Sequence, residues 1–91
     1  MATRLVVSGL GEPSTDESLR DAFASFGAIV TATVVRDPVT WQMHGYGLVV
    51  FDDDADAARA IVEMNGKLLD GHEIGVRRDE LPGYPGVKQP G

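Results

Sequence analysis

His44-Gly45-Tyr46-Gly47-Leu48-Val49-Val50-Phe51 is the stretch whose reading decides the fold. Read as a strand, the octamer sends successive side chains to opposite faces. Gly47, Val49 and Phe51 therefore fall on one side, predicted to be buried. His44, Tyr46, Leu48 and Val50 fall on the other, predicted to be open.

Outward from this strand, the segments alternate in period. Asp37 to Met43 is a turn-bearing connection, and before it Ala28 to Arg36 has the Val, Thr and Ile content of another strand. After the octamer, Asp52, Asp53 and Asp54 crowd the start of a helix, where the macrodipole favours negative charge. Ala57, Ala60, Ile61 and Met64 carry its apolar stripe, and Asn65-Gly66 ends it. Nearer the N-terminus, Arg4 to Ser8 reads as a buried strand closed by Gly9 and Gly11. Ser14 with Glu17 three residues on forms a capping-box pattern, with Thr15 as the alternative cap. Leu19, Ala22, Phe23 and Phe26 then follow helical spacing up to Gly27. A last strand is expected over about His72 to Arg77, with Ile74 and Val76 inward. The order β-α-β-β-α-β is the α+β, ferredoxin-like arrangement, in which two helices cover one face of a four-stranded antiparallel sheet.

The chain has 91 residues, 43% of them hydrophobic and 24% charged, which suits one soluble domain. That domain is expected over residues 1–80, with a Pro/Gly-rich tail or linker over 81–91. There is no cysteine, which removes disulfides and thiolate metal sites. No apolar run approaches the ~20 residues of a membrane span, and no signal-peptide pattern opens the chain. The expectation is an intracellular, monomeric domain, with nuclear and cytoplasmic sites both open.

The octamer resembles the signature strand of the RNA-recognition-motif family, written K/R-G-F/Y-G/A-F-V-x-F/Y. Leu5-Val6-Val7-Ser8-Gly9-Leu10 looks like the same family's first-strand hexamer. Asp37, Thr40, Asn65-Gly66 and Gly71 also sit where the family has them, so the resemblance covers about residues 3–79. It implies single-stranded RNA as the partner, held on the open sheet face. The family's three base-stacking positions fall on Val6, Tyr46 and Leu48, of which Tyr46 alone is aromatic. His44 stands where the family has Lys or Arg.

Base–aromatic stacking is worth roughly 1–3 kcal/mol per base, so two absent rings remove ~2–6 kcal/mol. Binding is therefore expected to be weak, or assisted by loop and tail residues. Trp41 has a base or an arginine as stacking partners, or packs back over the sheet edge. Tyr84 in the tail either crosses the sheet or takes no part. Arg4, Arg36, Arg77 and Arg78 lie on strands or their ends, while most carboxylates map to the two helices. The sheet side is thus neutral to mildly basic despite a net charge of −6 and a pI near 4.6. Binding through these few cations implies a slope of log K against log salt on the order of −2 to −3.

The alternative is a protein-interaction module that uses the aliphatic open face, made of Val6, Val35, Tyr46, Leu48 and Val50. Gly9-Leu10-Gly11-Glu12-Pro13-Ser14 lacks the third glycine and the parallel sheet of a dinucleotide site. His44 and His72 have no ligand cluster around them, and no catalytic constellation is visible. The expectation is a non-enzymatic domain without cofactor or metal.

Overall fold

A computed structural model of the chain describes residues 2–79. The tail over 81–91, Tyr84 included, lies outside the described residues. The elements are β1 (Thr3–Ser8), α1 (Asp16–Phe23) with a 3₁₀ turn at Ala24–Phe26, β2 (Ile29–Arg36), β3 (Met43–Phe51), α2 (Asp54–Met64), β4 (Leu68–Leu69), β5 (His72–Glu73) and β6 (Gly75–Arg78). Four strands form one antiparallel sheet in the order β2-β3-β1-β6, and both helices pack on the same face.

The octamer divides as its alternation requires. Gly47, Val49 and Phe51 are buried, whereas Tyr46 is 40% exposed on the opposite side. Phe51 meets Phe23 of α1 edge-on, with ring centroids 6.4 Å apart. Leu5, Val7, Leu19, Ile74 and Val76 complete the layer between sheet and helices, and the fully buried Ala57 and Ala60 let α2 approach it closely. A Cβ on Gly47 would lie 2.8 Å from the Thr33 carbonyl oxygen and 2.9 Å from a Leu19 methyl. α1 and the neighbouring strand therefore need the space that glycine leaves there.

Two local readings are corrected. The cap of α1 is Thr15, which exchanges hydrogen bonds with Ser18 at 3.0 and 2.9 Å. Ser14, the first residue of the expected Ser14–Glu17 box, is instead fully buried, and its hydroxyl donates to the Asp70 carboxylate at 3.0 Å. The expected last strand is also split. His72-Glu73 pairs with Leu68-Leu69 in a separate hairpin, and the strand that joins the sheet is Gly75–Arg78. The cause is the Asp70-Gly71 turn, whose φ values of 52° and 84° are both positive, as a two-residue type I′ hairpin demands.

The edge strand β2 is fastened to α1 by a side chain. Asp16, in the first turn of the helix, accepts a hydrogen bond from the Val34 backbone N–H at 2.7 Å. That tie fixes the β2 border of the open face against the helical layer.

Candidate nucleic-acid interface

Strand register arranges the open face in rows. Val6 lies opposite Leu48 on one side and Arg77 on the other, and Leu48 lies opposite Thr33. In the next row Ser8 stands between Tyr46 and Gly75. In the row on the other side, Val50 stands between Thr31 and Arg4. Val6, Ser8, Val35, Tyr46, Leu48, Arg77 and Asp79 line one shallow depression over these rows. Register thus brings Val6, Tyr46, Leu48 and Arg77 together from three strands. Ser8 and Asp79 were missed in sequence, although each follows a recognised open-face residue, Val6 and Arg77, by the strand period of two.

The arginines do not share one role. Arg77 is exposed and, among the described residues, has no ion pair. Arg4 Nε lies 2.7 Å from the Asp79 carboxylate, in the row beside Val50. Arg78 pairs in register with the buried Leu5, which places it on the helical side of the sheet. There it meets Asp54 at the start of α2. The Thr3 hydroxyl donates to the same carboxylate at 2.7 Å, and this bond, followed by that from Arg78, holds the Asp54 pKa below its ordinary value. Arg36 stands at the β2 edge, 3.6 Å from Glu12, and donates to the carbonyl oxygens of Trp41 and Ser14 at 3.1 and 3.3 Å.

Trp41 lies in the connection between β2 and β3, and His44 stands near the start of β3. The ladder is irregular there: Val34 pairs with Gly47 but Arg36 pairs with Met43, so β3 carries extra residues opposite Val35. Gly45 absorbs the irregularity with a φ of 87°, and its carbonyl accepts the Leu10 N–H at 2.9 Å. His44 is exposed beyond this bulge, near Asp37 rather than in the depression with Tyr46. The Asp37 carboxyl is held below its ordinary pKa, first by the Thr40 N–H, then by the Val39 N–H, with a smaller contribution from His44. Trp41 is 69% exposed, and the Arg36 guanidinium carbon lies 5.7 Å from the centre of its ring. Of the stacking partners open to it in sequence, the one present is the arginine.

Among the described residues no group of His, Asp and Glu forms a metal site, and no helix is long and apolar enough to cross a membrane.

A family model described as RNA recognition motif matches residues 5–75. The mitochondrial glycine-rich RNA-binding protein 2 of Arabidopsis thaliana is 47% identical over 86 residues, which cover 93% of this chain and 54% of that protein. The glycine-rich RNA-binding, abscisic acid-inducible protein of Zea mays is 40% identical over 80 residues, covering 88% and 51%. The chain thus spans about half the length of these curated relatives. Among solved structures, the first two RRM domains of the yeast poly(U) binding protein superpose with a TM-score of 0.82 at 32% identity, covering 86% of this chain and 47% of that one. With the sheet order, the two signature strands and these similarities in agreement, the chain belongs to the RNA-recognition-motif family.

Proposed function

We propose that this domain binds single-stranded RNA on the open face of its sheet. Tyr46 stacks on one base, Val6 and Leu48 offer apolar contact to its neighbours, and Arg77 meets a phosphate. The observation that carries the reading is the convergence of these four side chains, from β1, β3 and β6, on one depression. Family membership supplies the ligand class; the residues set its strength. One tyrosine contributes stacking of roughly 1–3 kcal/mol, and aliphatic neighbours add less than rings would. The complex is accordingly weak unless groups outside the sheet assist.

The ion pairs reduce the electrostatic share as well. Arg4, Arg36 and Arg78 each face a carboxylate, which leaves Arg77 as the cation best placed for phosphate. With about 0.7 counterions released per neutralised phosphate on a single strand, the salt slope should be near −1, shallower than four free arginines would give. RNA as the ligand also implies an intracellular place of action.

An NMR titration with a pool of short single-stranded RNAs tests the proposal. Amide shifts should centre on Val6, Tyr46, Leu48 and Arg77. Shifts confined to the helices would overturn the sheet reading. A spectrum unchanged up to millimolar RNA would transfer the open face to an apolar peptide partner, which its aliphatic character also fits.

A further inference from the structure

The turn before β3 keeps a tryptophan where a smaller residue would sit with less strain. Trp41 has a φ of 65°, in the left-handed region where a Cβ crowds the following carbonyl. Its N–H donates to the Asp37 carbonyl at 2.8 Å, and its own carbonyl accepts from Arg36 at 3.1 Å. The ring so placed adds nothing to the core between sheet and helices and stays 69% exposed. An open indole held against backbone strain points to a use outside the packing of the fold.

What lies beside the ring is acidic. Thr15, Asp16, Glu17 and Arg36 line a hollow with Trp41, and the apolar side of Thr33, Val34 and Val35 borders Asp16, Arg36 and Trp41 along β2. The Arg36 guanidinium is already engaged, by Glu12 at 3.6 Å and by the carbonyl oxygens of Trp41 and Ser14. Among the described residues Asp16 and Glu17 have no ion pair, and Arg20, the next cation along α1, joins neither. The macrodipole of α1 accounts for two carboxylates in its first turn, but not for an indole kept open beside them. Glu12, Asp16 and Glu17 outnumber the one guanidinium, so the hollow repels phosphate and attracts a cation.

We propose that this hollow docks an arginine side chain from a basic segment of a partner protein, with the guanidinium between the Trp41 indole and the carboxylates of Asp16 and Glu17. Charge and shape together select that occupant. A planar guanidinium stacks on an aromatic face and donates in a fork to carboxylates, which the compact ammonium of lysine cannot do at once. Its stem meets the apolar wall of Val34 and Val35. The proposal does not rest on the RNA-binding reading above, because the groups that carry it stand at α1 and the loop before β3.

Trp41 is the only tryptophan in the chain, so its fluorescence reports this hollow alone. The experiment titrates the protein with a short labelled peptide that alternates arginine and serine, and reads peptide anisotropy and tryptophan emission together. Both signals should change with one midpoint, and a lysine version of the peptide should bind more weakly. Trp41→Gly, which glycine's backbone freedom keeps folded, should weaken binding about fivefold, within the range of a cation–π contact. Trp41→Phe, which keeps a ring, should retain most of the affinity. Glu17→Gln should weaken binding about threefold. Glu63→Gln, which removes the same charge from α2, should cost less. Equal losses in Glu17→Gln and Glu63→Gln would reveal only a general attraction to an acidic protein and overturn the site. Peptide binding with unchanged tryptophan emission, or no binding up to millimolar peptide, would overturn it too. Single-stranded RNA that shifts the emission and displaces the peptide would give the hollow to nucleic acid instead.

Discussion

Tyr46 and Gly47 are consecutive in one strand, as Arg77 and Arg78 are in another, yet each pair is divided between two chemically different faces. On the helical side the constraint is volume. Gly47 has no side chain because Leu19 and the Thr33 carbonyl fill the space, and Arg78 is present because Asp54 waits at the head of α2. On the open side, among the described residues, Tyr46 stays 40% exposed and Arg77 is exposed without an ion pair, so their identities answer less to packing than to whatever docks there. The comparison teaches that neighbours in sequence are not neighbours in function here; residues two apart are.

The sharpest way to break the comparison is to exchange effects between the faces. Phe51→Ala removes a fully buried ring that meets Phe23, and should lower stability by about 3–5 kcal/mol, read by urea unfolding. For a domain of this size, with roughly 5–14 kcal/mol in total, that is a large share. Tyr46→Ala should do the reverse. RNA affinity should fall by about 1–3 kcal/mol, while stability stays within ~0.5 kcal/mol. A tyrosine variant that unfolds like the phenylalanine variant would show that the open face is not open.

A smaller change sharpens the point by adding rather than removing. Leu48→Phe places a ring between Val6 and Thr33 in the central row of the face. RNA affinity should rise by roughly 1 kcal/mol, the low end of the stacking range. A loss of affinity would mean that the aliphatic surface itself is what the ligand reads.

These expectations depend on which parts of the molecule its sequence already displayed. The inner positions were legible because a strand alternates its faces, and the resemblance to the family's signature octamer says which face Gly47, Val49 and Phe51 occupy. The hairpin of β4 and β5 was not read, because strands of two residues have no period. Its Asp70-Gly71 dipeptide was the available signal, and a strand expected over the same stretch obscured it. The helix cap slipped by one residue because Ser14 and Thr15 both qualify locally; burial of Ser14 against Asp70, distant in sequence, decided between them.

The charges were the least legible part. Four arginines on strands looked alike, yet three are drawn to carboxylates on other elements, and only the fold brings those together. Salt dependence separates them. Arg77→Ala should flatten the slope of log K for RNA by about 0.7, the share of one phosphate contact. Arg78→Ala should leave the slope unchanged and lower the thermal midpoint instead.

The last and smallest effect lies on the helical side and is read by pH. Asp54 accepts from Thr3 and pairs with Arg78, and its folded pKa lies below the ordinary 3.8. A depressed carboxylate pKa contributes stability that is fully present above the unfolded value and is lost as pH falls through the folded one. Asp54→Asn should therefore unfold at a lower temperature than the unaltered protein at pH 7, and the gap should close as the medium is acidified below about pH 3.8. RNA affinity, governed from the other face, should be equal in the two proteins at neutral pH. A stability gap that persisted unchanged into strong acid would mean that the ion pair with Arg78 is not what fastens β6 to α2. The division between a face fixed by its partners and a face left free would then lose its electrostatic half.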